Sequence, residues 1–228
     1  IKNPWIEAGF NQITTNVYST EIKEYPNKVE IISSLSLIPP YREKVVDVIV
    51  TWSIYSCGLI NCDIKANKNM RTPFLPRFGV QLKLNKSYED VSYFGFGPYE
   101  NYIDKNSCCY LGRFNSKVSE IHEDYIKPQE NGSHHFCREV SITNNTGKIY
   151  VLSENDFAFN VSHFSVNQLT NTSHNFDLNE EDLTYLIIDY KQSGIGSNSC
   201  GPDLPEEYRF NEEEFSYNFY LKFIKTNL

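Results

Sequence analysis

The chain of 228 residues has one methionine, two tryptophans and no excess of basic charge: 21 Lys and Arg stand against 29 Asp and Glu, for a net charge of −8. A surface that tracks phosphates needs clustered cations, and none is present, which excludes a nucleic-acid reading. No apolar run approaches the ~20 residues that cross a bilayer as a helix. The opening residues, Ile1 to Gly9, lack the apolar core and small-residue cleavage site of a secretory signal. There is no Gly-x-Ser-x-Gly elbow, which removes the usual hydrolase nucleophile. Gly194-Ile-Gly196 lacks the third glycine and following helix of a dinucleotide site. No low-complexity linker or fixed-period repeat divides the chain, so residues 1–228 read as one domain.

Six cysteines are present, without a Cys-x-x-Cys pair of the zinc type. Cys57 and Cys62 bracket a turn. Cys108 and Cys109 are adjacent, and on a strand neighbours face opposite ways, which would make them poor co-ligands. The cysteines are expected to be reduced, buried small side chains, in keeping with a cytoplasmic location. Asn-x-Ser/Thr triplets at Asn85, Asn131, Asn144, Asn160 and Asn171 are what an Asn-rich chain produces by chance, and no glycosylation is inferred.

What is abundant is aromatic. Sixteen Tyr and 15 Phe favour pleated surfaces, where flat and branched side chains pack well. The hydrophobic period is two nearly throughout. Strands are expected at Ile13 to Lys23, Lys28 to Leu37, Lys44 to Ser56 and Leu59 to Lys68. Later strands follow at Phe78 to Leu84, Val91 to Gly95, Phe136 to Ile142, Lys148 to Leu152, Phe157 to Ser162, Leu183 to Asp189 and Phe215 to Ile224. Tight turns fall at Tyr25-Pro-Asn-Lys28, Cys57-Gly58 and Asn144-Asn-Thr-Gly147. One short helix is expected within Ser165 to His174, with Ser165 as its N-cap. Strands without intervening helices imply an all-β fold of two antiparallel sheets packed face to face.

The chemistry-bearing residues gather in three Gly/Pro loops: Phe94 to Asp104, Asp124 to Ser133 and Asp189 to Asp203. In the last, Gly194, Gly196, Gly201 and Pro202 impose a defined turn that puts Asn198, Ser199 and Cys200 at its tip. A loop set on a rigid β scaffold is a usual place for a binding surface; a plain connection is the competing reading. The loops hold Glu100, Asp104, Glu123, Asp124 and Glu130, but a glycosidase needs two carboxyls at a set separation, and sequence places no two of them opposite each other. Tyr99, Tyr102 and Tyr125 are of a type that stacks on pyranose rings, with core packing as the alternative fate. His134 and His135 are strand neighbours with diverging rings. Neither they nor His122, His163 and His174 form a ligand pattern, so no metal site is expected.

Five motifs in order carry a resemblance: Leu75-Pro-Arg-Phe-Gly79, Gly97-Pro-Tyr-Glu-Asn101, Tyr110-Leu-Gly-Arg-Phe114, Pro128-Gln-Glu-Asn-Gly132 and Gly194-Ile-Gly-Ser-Asn-Ser-Cys-Gly-Pro202. Together, over roughly residues 5 to 225, the chain resembles the C-terminal, small-chain region of bacterial β-galactosidases of glycoside hydrolase family two. The resemblance implies a large antiparallel β-sandwich of the supersandwich type shared with galactose mutarotases, here without its first strands, and a stretch of a larger multidomain enzyme. It implies that both catalytic glutamates lie in a (β/α)-barrel upstream, so this stretch has no catalytic residue and is inactive on its own. Glu100, Asn101, Glu130 and Asn131 then support loops, while Asn198, Ser199 and Cys200 border the substrate cleft. Many family members place a substrate-stacking Trp where this chain has Cys200, which puts that contact in question here. The implied function is hydrolysis of terminal β-D-galactosides such as lactose by the assembled enzyme. That enzyme would use Mg and Na in its barrel and form a homo-oligomer; this stretch itself needs no cofactor, nucleic acid or membrane. The alternative is a stand-alone carbohydrate-binding or mutarotase-like module, for which no His/Glu acid-base pair can be assigned.

Overall fold

The computed structural model describes residues 4–196 and 203–225. The chain divides into two compact units, residues Ile1–Pro76 with Arg209–Lys222, and Arg77–Tyr208 with Phe223–Leu228.

Unit one is an antiparallel sheet in the order β1 (Thr14–Tyr25), β2 (Lys28–Ile38), β3 (Val46–Tyr55), β4 (Leu59–Lys68) and β11 (Glu214–Lys225). The expected turns close its hairpins. Tyr25 pairs with Lys28 across the first, and at the second Gly58 adopts a φ of 77° while its N–H reaches Tyr55 O at 2.9 Å. Alternation separates the two faces of the sheet. Val48, Ile64, Tyr217 and Phe219 are buried on one face, whereas Asp47, Lys65, Asn67 and Glu214 lie on the other. A short helix, α1 (Pro4–Glu7), precedes β1, and Trp5 Nε1 donates to Phe74 O at 2.6 Å.

Unit two is an antiparallel sheet in the order β5 (Arg77–Asn85), β10 (Leu183–Gln192), β9 (Gly147–Ser162), β8 (His134–Thr143), β6 (Asp90–Gly97) and β7 (Tyr110–Lys117). Its core follows the register: Val140 opposes Val151, Ile142 opposes Ile149, and Phe159 opposes Ile188, all six fully buried. Two short helices lie between strands, α2 (Val118–Ile121) and α3 (Val166–Asn171). Ser165 caps α3, its Oγ accepting the Gln168 N–H at 3.2 Å.

Four expectations are corrected. The separate strands at 148–152 and 157–162 are one strand, β9, in which the exposed polar Glu154-Asn-Asp156 stretch stays extended through an irregularity in its pairing with β8, between the Leu152–Glu139 and Phe157–Cys137 pairs. Tyr110–Lys117 is a strand that periodicity did not disclose; its pairing with β6 sustains it although Tyr110 and Leu111 are both exposed. Cys108 and Cys109 sit in a turn before β7 rather than on a strand, so their sulfurs lie on one side, 3.8 Å apart. Nor are the cysteines mostly buried: of the five described, all free thiols, only Cys62 and Cys137 are.

Candidate functional site

At one end of unit two's sheet, the loops after β6, before β8 and after β10 meet over a buried polar cluster. Its anchor is Arg77, the first residue of β5. The guanidinium donates to Asp189 Oδ2 at 2.5 Å and to Glu130 Oε2 at 2.9 Å. Asp189, on β10, is wholly buried and also accepts from Gln192 Nε2 at 2.8 Å. Burial opposes the charge on Arg77, but Asp189 and Glu130 outweigh it and raise its pKa, so the cation is firmly held. Burial pushes the Glu130 carboxyl up; Arg77 opposes that, while Asp189 and Glu100 add to it.

Glu100 is the second anchor. Its Oε1 accepts from Lys105 Nζ at 3.0 Å and from the Tyr125 hydroxyl, and its Oε2 from the Gly132 N–H at 2.9 Å. Burial would raise this carboxyl, yet those three donors prevail and hold it below its usual range. Asn101, fully buried, donates to Phe96 O and Tyr99 O, both at 3.0 Å, and accepts the His135 N–H at 2.8 Å. Asn131 donates to Gln129 O at 2.9 Å and accepts the Glu123 N–H at 3.1 Å; Asn160 Nδ2 reaches Asn131 O at 2.5 Å. Buried side-chain amides thus supply the partners that loop carbonyls and N–H groups lack.

The histidines are drawn inward by a bulge. Register skips between His134 and Cys137, and Phe136 takes a φ of 54°, so two consecutive side chains are both buried. His134 stacks on Phe159, ring centroids 5.2 Å apart, with Nδ1 3.1 Å from Gly132 O. Burial takes His135 down to about 4, leaving it neutral above that pH. Among the described residues, Ser133 Oγ and Glu130 Oε1 are buried atoms with no hydrogen-bond partner.

Asp104 reaches the base of the third loop. Its carboxylate accepts the Ile195 N–H at 3.1 Å and the Gly196 N–H at 2.8 Å. A Cβ on Gly194 would stand 2.5 Å from the Asp104 carboxyl carbon, so only glycine allows this approach. Asn198, Ser199 and Cys200 lie outside the described residues. Tyr102 is buried and Tyr125 is engaged with Glu100, whereas Tyr99 is 62% exposed. Glu123 and Asp124 are exposed, and Asp124 accepts from Asn175 Nδ2 at 3.2 Å. Arg77, Asp189 and Gln192 were missed as members. Arg77 sits inside the Leu75-Pro-Arg-Phe-Gly79 motif, and a lone arginine opening a strand was the available signal. Among the described residues, no three His, Cys, Asp or Glu side chains form a group able to hold a metal ion, and no helix is long and apolar enough to cross a membrane.

An antiparallel all-β scaffold with polar loops gathered at one sheet end is a class with solved members. A galactose 1-epimerase from Lactobacillus acidophilus superposes with a TM-score of 0.52 at 8% identity, over 92% of this chain and 67% of that one. The fold is therefore galactose-mutarotase-like. The family model described as "Beta galactosidase small chain" matches residues 2–221. The chain is 42% identical to a β-galactosidase of Staphylococcus xylosus over 98% of its length, and 37% identical to one of Actinobacillus pleuropneumoniae over 99%. It spans only 22% of the length of each of these relatives. The chain belongs to the β-galactosidase small-chain family.

Proposed function

We infer that the chain is the non-catalytic, small-chain part of a β-galactosidase that hydrolyses terminal β-D-galactosides such as lactose. The observation that carries this reading is the bonding of the loop carboxylates. Glu100 accepts from three donors, Glu130 is tied to Arg77, and Asp104 is bound to two N–H groups. A glycosidase needs one carboxyl free to donate a proton and another free to attack or activate water. These side chains are instead occupied with loop backbones and with the Arg77 and Lys105 cations, so Glu100, Asn101, Glu130 and Asn131 act as loop supports.

In this reading Asp104 braces the loop that carries Asn198, Ser199 and Cys200 to the border of the cleft, while Glu100 ties together the loops of Lys105, Tyr125 and Gly132. Catalytic carboxylates, any Mg and Na, and the contacts of a homo-oligomer belong to the rest of the enzyme. A cytoplasmic setting accords with five described cysteines that are all free thiols.

The test is to graft this chain in place of the matching segment of the Staphylococcus xylosus enzyme. The intact-length hybrid should cleave a chromogenic β-galactoside, and the isolated chain should not. Within the hybrid, Cys200→Trp should alter KM, because an indole offers a stacking face that a thiol lacks, whereas Cys200→Ser should change it little. Turnover by the isolated chain that is lost in Glu100→Gln or Glu130→Gln would overturn the non-catalytic assignment.

A further inference from the structure

Unit one has an apolar face that is buried at one end and open to solvent at the other. The registers align two rows across the sheet. One runs Ile22, Ile31, Trp52, Cys62, Phe219; the other runs Val17, Leu35, Val48, Ala66, Phe215. Each row is buried on its β11 side and exposed at its β1 end. Phe219 and Cys62 are 0% exposed, Trp52 and Ile31 are half-buried, and Ile22 is 64% exposed. In the second row Phe215 is 7% exposed, Val48 is 4%, Leu35 is half-buried and Val17 reaches 54%. Val29 and Ile54, opposite one another, extend the exposed area. The reverse face at the same end carries Ser19, Ser34 and Asp47 together with Ile32 and Ile49, and on the apolar face itself Thr20 and Ser33 lie between the two rows and Glu24 lies opposite Val29.

The outer strand is open in a second sense. β1 pairs with β2 alone among the described residues, and all twelve of its residues are exposed. A bulge at Tyr18 and the charges of Glu21, Lys23 and Glu24 discourage indiscriminate edge pairing. They do not cover the apolar rows. Large side chains aligned across three strands are what a sheet presents to another layer.

The length of the relatives bears on what that layer is. Two β-galactosidases align with 98% and 99% of this chain, yet those segments are only 22% of their length. The family therefore sets this stretch beside a far longer polypeptide. We propose that the β1–β3 end of the apolar face docks the remainder of the β-galactosidase polypeptide, whose own apolar layer covers Val17, Ile22, Val29 and Ile54. The proposal rests on the functional reading above and adds to it the surface used. Burial of four such side chains contributes through the hydrophobic effect, and a charge placed among them would lose its hydration without a partner.

Single cysteines placed on the two faces of β1 test this by accessibility. Ile22→Cys, Val17→Cys and Ser19→Cys are each made in the isolated chain and in the hybrid with the Staphylococcus xylosus enzyme. Alkylation by a maleimide is followed by peptide mass spectrometry, which separates the new thiols from Cys57 and Cys108. Ile22→Cys and Val17→Cys should react readily in the isolated chain and at least tenfold more slowly in the hybrid; Ser19→Cys should be slowed by less than threefold. All three positions are exposed, so the variants should fold, and unchanged circular dichroism checks that they do. Equal rates for Ile22→Cys in both settings overturn the proposal. So does protection in the isolated chain that grows with concentration, which would make the occupant a second copy. A hybrid without β-galactosidase activity counts against the functional reading alone if Ile22→Cys is still protected. An active hybrid with Ile22→Cys unprotected counts against the docking face alone.

Discussion

The outer sheet of unit one and the loop end of unit two present opposite solutions to unsatisfied surface. On β1, apolar side chains such as Ile22 are exposed, and among the described residues the backbone is paired on one side only. At the loop end, charged and amide groups such as Asp189 and Asn101 are removed from water and given partners inside the same unit. An apolar surface left open costs little until something covers it, and then it contributes to binding. A buried charge left open costs at once. The first region is therefore suited to docking and the second to holding loop geometry.

The largest test of that contrast is Arg77→Met. It leaves Asp189 buried without its cation, and loss of about 3–5 kcal/mol of unfolding free energy is expected for breaking such a pair. Urea denaturation at neutral pH measures it. A loss below about 1 kcal/mol would mean that the ion pair does not hold the loop end.

Next in size is a pH effect at His135. Burial depresses its pKa from 6.5 to about 4, so between those values the unfolded chain binds a proton that the folded chain refuses. Stability from this group is complete above pH 6.5 and falls by about 3 kcal/mol as the pH drops to 4. Urea midpoints across that window should show the decline, and His135→Gln should flatten it. Glu100, whose folded pKa is depressed, adds a separate loss only below the ordinary carboxylate range, as pH falls through its folded value.

Asp104→Ala should cost about 1 kcal/mol, by leaving the Ile195 and Gly196 N–H groups without their acceptor. Amide exchange at those two positions should quicken while the β10 core stays protected. The smallest effect belongs to the other region. Ile22→Lys should change the stability of the isolated chain by less than about 0.5 kcal/mol, because the side chain is already exposed. A large loss there would show that the apolar rows of β1 are needed by the unit itself.

Much of the strand layout was legible because alternation and turn chemistry act locally. Val46 to Tyr55 alternates under β-branched enrichment, and Gly58 and Gly147 stand where hairpins close. β7 was not legible, since Gly112 and the exposed Leu111 break its pattern and only pairing with β6 sustains it. The loop residues Glu100, Asn101, Glu130 and Asn131 stood out as polar groups in turn-forming segments. Their partners did not: Arg77 lies 53 residues from Glu130 and 112 from Asp189. Cys108 and Cys109 misled because the strand rule was applied to what proved to be a turn.

By itself, then, the sequence determined the all-β class, the hairpin turns, the Ser165 cap and, through five ordered motifs, the family. Each depends on neighbours in the chain or on composition, where backbone preference and periodicity act directly. Only the tertiary structure decided which carboxylates are occupied, that the His134–Phe136 bulge buries two adjacent histidines, and that one end of an apolar face is left uncovered. Those outcomes depend on contacts between residues tens to more than a hundred positions apart, and their energies arise from burial, which no local pattern specifies.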